Sequence, residues 1–180
     1  MATSKTGSFI LSETVSMTAA SIDGSRFTGT LDTGPYVNIG TKQALAVESV
    51  DFIWQNGSLY DGNVEAMVAQ NGSLGLQVTD LNPGGAFVQA DDNSLIASGV
   101  LNIDQANNIA SHSSDMFPDN FGSLSDAHMV IGDSIHLVAG NDGTAIGSAT
   151  VRVTARLKCR IVKLSEKDLL AMSIQRSAVD

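Results

Sequence analysis

Three histidines, His112, His128 and His136, are the side chains in this sequence best suited to bind a transition metal or move a proton. Ligands carried by one rigid element sit a few residues apart, and no two of these histidines lie within four residues of each other. His136, between Ile135 and Leu137, reads as a histidine on a strand face. Gly72-Ser73-Leu74-Gly75 is superficially like a nucleophile elbow, but it is set in hairpin sequence with no strand-to-helix turn behind it. No glycine-rich loop has the spacing that cradles a phosphate. Asp91-Asp92-Asn93 and Asn141-Asp142-Gly143 could offer oxygens to Ca2+, yet the same residues are ordinary turn chemistry. The sequence therefore presents no catalytic residue, no metal ligand and no cofactor site, and the expectation is a protein that is not an enzyme.

The elements that would position any functional surface are strands. The longest clean alternation runs from Ser148 to Arg160 and on through Lys163. Val151, Val153, Ala155, Leu157, Cys159 and Ile161 fall on one face, and Arg152, Thr154, Arg156, Lys158, Arg160 and Val162 on the other. An apolar row facing a core and a basic row facing outward is a scaffold feature. Cys159, the only cysteine, falls on the apolar row and has no partner for an internal disulfide.

Charge is divided along the chain. Residues 1–151 carry three Lys and Arg against sixteen Asp and Glu, whereas residues 152–180 carry seven against three, within an overall net charge of −9. An acidic body with a basic end predicts two surfaces of opposite sign, which suit copies of one chain meeting head to side or a contact with lipid headgroups. Nucleic acid is not an expected partner, because no aromatic residues interleave with the basic ones. Only 5% of residues are aromatic, which argues against a deep aromatic-lined sugar cleft. The beginning MATSKTGSF lacks the apolar stretch of a secretory signal, and no run approaches the length of a membrane-spanning helix.

Elsewhere, strands are expected over 8–18, 27–31, 36–39, 44–55, 76–79, 87–90, 95–103, 127–131 and 134–139, with turns at Asp23-Gly24 and Asn82–Gly85. In the strand over 44–55 the apolar face switches near Ser49, which predicts a β-bulge or a strand passing between sheets. Gln55-Asn56-Gly57-Ser58-Leu59 recurs as Gln70-Asn71-Gly72-Ser73-Leu74, and two Asn-Gly turns predict a strand–turn–strand–turn–strand meander. Both copies also match the Asn-X-Ser glycosylation acceptor, which is not expected to be used without a signal peptide. Residues 104–126 are the least regular stretch, with Met116, Phe117 and Phe121 as isolated anchors. A helix is expected over 165–176. Ser165 is its N-cap, Asp168 sits at the third helical position, Leu164 and Leu169 form a hydrophobic staple, and Leu169, Leu170, Met172 and Ile174 give an apolar side.

The expected fold is all-β: a single domain over 1–180, a jelly roll or β-sandwich of about eight to ten antiparallel strands with one short C-terminal helix. In strand count, long loops, unprocessed N-terminus and late long strand ending in a helix, the chain resembles the single-jelly-roll major capsid proteins of tailless icosahedral DNA viruses. No residue motif defines that group, so the resemblance transfers no functional residue. It implies a self-assembling coat protein in the virion whose partners are copies of itself, with a second coat protein and lipid headgroups as further contacts and no small-molecule substrate. The candidate assembly surface is Arg152, Arg156, Lys158 and Arg160 on the basic face, with Leu169, Leu170, Met172 and Ile174 on the helix. The alternatives are another virion part, such as a decoration, spike or tail-tube protein, and a carbohydrate-binding or adhesion module with its site in 104–126.

Overall fold

The computed structural model describes residues 2–58, 63–115, 118, 124 and 126–177, the last three of these by their backbone. In chain order the strands are β1 (Thr3–Ser4), β2 (Phe9–Met17), β3 (Arg26–Asp32), β4 (Gln43–Asn56), β5 (Gly72–Thr79), β6 (Leu95–Asp104), β7 (Ile109–Ser114), β8 (His128–Val130), β9 (Ser134–Asp142) and β10 (Val151–Lys163). One helix follows, α1 (Glu166–Ser177). The strands form two five-stranded antiparallel sheets. Sheet A runs β2-β10-β4-β8, with β1 continuing the β2 edge of β10, and sheet B runs β3-β9-β5-β6-β7.

Four pairings nest inside one another: β2 with β10, β3 with β9, β4 with β8, and β5 with β6. A long hairpin rolled up so that its successive pairs alternate between two sheets is a jelly roll. The fold expected from the sequence is the fold observed.

Alternation explains the core between the sheets. Val151, Val153, Ala155, Leu157 and Cys159 of β10 face Met17 and Val15 of β2 and Val50, Phe52 and Trp54 of β4 along the same side of sheet A. Leu74, Leu76 and Val78 of β5, Leu101 and Ile103 of β6, and Ile135, Leu137 and Ala139 of β9 meet them from sheet B. Gly99 leaves room in this core for a large ring. A Cβ there would lie 2.5 Å from the Phe52 ring.

Several local expectations are corrected. The meander across the two Asn-Gly pairs does not form, because β4 ends at Asn56 in sheet A and β5 begins at Gly72 in sheet B. The chain crosses between the sheets through a 3-10 turn at Val64–Met67. Gly57 takes a positive φ of 64°, but its amide donates to the Thr150 carbonyl at 2.8 Å, closing the end of β10 in place of a hairpin. Gly72 is required by packing, since a Cβ there would collide with the Thr144 side chain. The strand expected over 87–90 is irregular chain laid over the outside of sheet B. The Gln77 amide holds it there by bonding both the Val88 N–H and the Val88 carbonyl at 2.8 and 2.9 Å. The piece over 36–39 runs into a 3-10 turn at Ile39–Thr41 capped by the Asn38 side chain. Strand β9 continues through Gly140-Asn141-Asp142, where a turn was expected. The stretch 104–126 contains β7, while Met116, Phe117 and Phe121 lie outside the described residues.

Leu157 is fully buried near the middle of β10, so Leu157→Ala removes packing that the surrounding strands cannot close over. Urea unfolding should show a loss of about 2–5 kcal/mol with an unchanged slope.

Candidate assembly surface

The outer face of sheet A is built by one irregularity. Register between β10 and β4 steps from Lys158↔Ser49 to Cys159↔Val47, leaving Glu48 as the extra residue of a β-bulge. Without it, alternation would aim Glu48 at the core and Val47 at the outside. With it, Val47 is fully buried between the sheets and Glu48 turns outward, onto the basic row of β10. This is the face switch legible near Ser49.

Glu48 is nonetheless only 3% exposed, because three partners close over it. Arg160 Nη2 lies 2.8 Å from its Oε1, Lys158 Nζ lies 3.7 Å from its Oε2, and Ser8 Oγ donates to Oε2 at 2.8 Å. Arg160 also donates to Ser8 Oγ at 3.0 Å, so the segment leading into β2 is tied to the same cluster. Two of the four basic candidates are thus occupied within the chain. Arg152 turns to the end of β4, donating to the Gly57 carbonyl and to Ser58 Oγ at 2.6 and 3.3 Å. Arg156, exposed, stands between Ser12 and the cross-strand Asp51. Sequence reasoning placed the four on one face, and the structure does so too. Sequence reasoning did not find Glu48 as the shared counter-charge of Lys158 and Arg160; the signal was an acidic residue beside the face switch.

The helix divides the apolar candidates in the same way. Ala44, Ala46 and Val162 point outward at the far end of the β4–β10 pair and are fully buried. They are covered by a second cluster that includes Leu164, Ile131 and Ala127, with Leu169 and Met172 packed against it. Small alanines on the strand let α1 lie close. Ser165 Oγ accepts from the Asp168 amide at 3.2 Å, fixing the start of the helix, and Lys42 pairs with Glu166 at 3.5 Å. Leu169 and Met172 therefore serve the chain's own packing. Leu170 and Ile174, one turn apart, are 62% and 60% exposed on the other side of α1.

Several of the other candidates for chemistry have structural partners. The Asp92 carboxylate accepts from the Ser94 amide and hydroxyl at 2.8 and 2.7 Å, closing a turn. Asp142 pairs with Arg26 at 2.8 Å, and the Asn141 amide donates to the Ile22 and Thr144 carbonyls. His128 lies 3.4 Å from Asp80, at a place where β8 of sheet A meets the end of β5 of sheet B. No group of three or more metal-binding side chains occurs among the described residues. No helix among them is long and apolar enough to cross a membrane.

No protein-family model matches the chain, and no curated protein does. Among solved structures it is similar to the VP1 protein of Trichodysplasia spinulosa-associated polyomavirus, at 11% identity over 89% of this chain and 99% of that chain, with a TM-score of 0.46. A chain of Desmodium yellow mottle tymovirus is similar at 9% identity over 89% and 93%, with a TM-score of 0.31. A chain of the virus-like particle of the giant freshwater prawn Macrobrachium rosenbergii extra small virus is similar at 12% identity over 91% and 84%, with a TM-score of 0.31. These neighbours are viral capsid proteins. All three TM-scores lie below 0.5, so the jelly-roll assignment stands on this chain's own strand order.

Two outcomes check this surface. Arg160→Met leaves Glu48 buried with only Lys158 and Ser8 and should cost about 3 kcal/mol in urea unfolding, whereas Arg156→Met should stay within about 0.5 kcal/mol. Burial, and then the nearby Glu48 charge, push the Cys159 thiol up to about 12. A thiol-specific disulfide reagent at pH 8 should therefore leave Cys159 unmodified in the folded protein and react fully once it is unfolded.

Proposed function

We propose that this chain is a coat protein that assembles with copies of itself into the icosahedral shell of a virion. The observation that carries the reading is the division of labour on α1. Its Leu169–Met172 side anchors it to the outside of sheet A, and Leu170 and Ile174 are held outward on that anchored helix. A rigidly mounted apolar ridge is what a repeated contact between copies requires, since each modest contact is multiplied by symmetry. The jelly-roll strand order supports the same reading, because this fold recurs in viral shells, although it also serves lectin and cupin domains.

The role is mechanical. Strand edges, loops and the helix ridge bury against neighbouring copies, and Arg156, an exposed basic residue on sheet A, adds charge complementarity to the acidic body of a neighbour. A second coat protein would use the same ridge. A lipid layer beneath the shell would meet the β10 face, where Glu48 already offsets part of the positive charge.

Light scattering and negative-stain electron microscopy of the purified chain, across salt and protein concentration, test the reading. Closed shells, or rings and sheets with shell curvature, are expected. Leu170→Glu with Ile174→Glu should abolish them while shifting unfolding stability by no more than about 1 kcal/mol, because neither change touches Leu169 or Met172. Assembly undiminished by both substitutions would remove the helix ridge from the interface, and a strictly monomeric wild-type protein under every condition would overturn self-assembly.

A further inference from the structure

Strand β7 is one of the two edge strands of sheet B, opposite β3, and among the described residues it is unlike the other sheet edges. All six of its residues, Ile109-Ala110-Ser111-His112-Ser113-Ser114, are exposed on both faces, so sheet A does not reach under it. Edge strands are normally blunted against pairing with other chains by charge, shortness or cover. The other edges follow that rule. Strand β8 has three residues and β1 two, β2 carries Glu13, and β3 begins with Arg26 and ends with Asp32. Among the described residues, β7 is the edge longer than three residues without an Asp, Glu, Lys or Arg.

It is also held rigidly at both ends. At the β6–β7 turn the Asp104 carboxylate accepts from the Asn107 side chain and backbone at 2.7 and 3.3 Å. Ala106 N–H donates to Asn71 Oδ1 at 3.1 Å, and the Gln105 side chain donates to the Val68 carbonyl at 3.2 Å. At the other end Asp115 Oδ2 accepts from both the amide and the hydroxyl of Ser98 at 2.6 Å. An edge pre-organised in this way loses little further freedom on pairing.

The direction of its hydrogen bonds follows from one contact. Asp115 N–H donates to the Ser98 carbonyl at 3.1 Å, toward β6. Alternation then turns the amides and carbonyls of residues 113, 111 and 109 toward β6 and those of Ala110, His112 and Ser114 outward.

We propose that β7 is the seam of a two-fold dimer, in which the β7 strands of two copies pair antiparallel about His112 and join their B sheets into one continuous sheet. Centred on His112, the outward groups form three hydrogen-bonded residue pairs: Ala110 with Ser114, His112 with His112, and Ser114 with Ala110. Shifting the centre by one residue, to Ser111 or Ser113, leaves two such pairs, so the His112 centre satisfies the most edge groups. The same register sets Asp115 of each copy beside Ile109 of the other, not beside a second carboxylate. On a chain of net charge −9, an uncharged edge is where two copies meet without like-charge repulsion. The inference deepens the coat-protein reading by naming one contact between copies.

Cysteine cross-linking tests the register. Hydrogen-bonded partners on antiparallel strands have Cα atoms about 5.5 Å apart, within reach of a disulfide, whereas residues 110 of the two copies would lie about 14 Å apart. Mild oxidation of His112→Cys should give a covalent dimer on a non-reducing gel, and Ala110→Cys should not. His112→Pro removes an outward amide without touching the β6 ladder, so it should abolish the dimer in sedimentation velocity while the unfolding midpoint is retained. Absence of a cross-link above the Ala110→Cys level, or a dimer undiminished by the proline, would overturn the seam. Shells that form unchanged from His112→Pro would overturn the seam and leave the coat-protein reading standing. A His112→Cys cross-link in a protein that never builds shells would support the seam and remove that reading.

Discussion

Strand β10 is hydrogen-bonded along both edges, and the two sheets depend on that double ladder. Its thirteen residues pair with β4 from Val151 to Lys163 and, on the other side, with β2 and then β1. The first and last strands of the roll are thereby closed on each other, and β4, which leads into sheet B, is fixed at the same time. Such pairing joins residues far apart in sequence, as with Thr3 and Lys163. The entropy of closing that loop is offset only when the apolar row of β10 reaches the core between the sheets.

The bulge at Glu48 reconciles two demands on the same strand pair. Before it, β4 serves both the inner core through Leu45 and Val47 and the helix-covered cluster through Ala44 and Ala46. After it, β4 serves the inner core alone through Val50, Phe52 and Trp54. Changing faces requires one extra residue. A carboxylate in that position gives the basic row a buried partner, and truncating either side would strand the other. The basic face of β10 is therefore a largely self-satisfied surface with Arg156 at its exposed centre.

The outer faces of the two sheets are finished differently. Sheet A is capped at one end by α1, with small strand residues beneath and Leu169 and Met172 above. Sheet B is crossed by the chain between β5 and β6. There Phe87 settles over Gly75, and the Arg26 guanidinium stacks 4.4 Å above the Phe87 ring. Among the described residues, those that stand exposed include an apolar pair on the helix and an uncharged strand edge.

Much of this was legible in the sequence because it is local. Alternation in β10 is a property of successive residues, and it fixed which side chains face inward without reference to any partner strand. The Ser165 cap, the Leu164–Leu169 staple and the face switch in β4 are decided within a few residues. The two Asn-Gly pairs misled for the complementary reason. Asn-Gly favours a turn in either context, but whether the chain doubles back as a hairpin or crosses to the other sheet depends on β10 lying beside β4. Division of the apolar helix residues into Leu169 and Met172 inside and Leu170 and Ile174 outside likewise depended on where sheet A offered small residues. The sequence by itself determined the long alternating strands, the helix cap, the core face and the fold class, since these follow from periodicity and local backbone chemistry. Only the tertiary structure decided which charges neutralise one another and which edge stays open, because those are settled by contacts between residues distant along the chain.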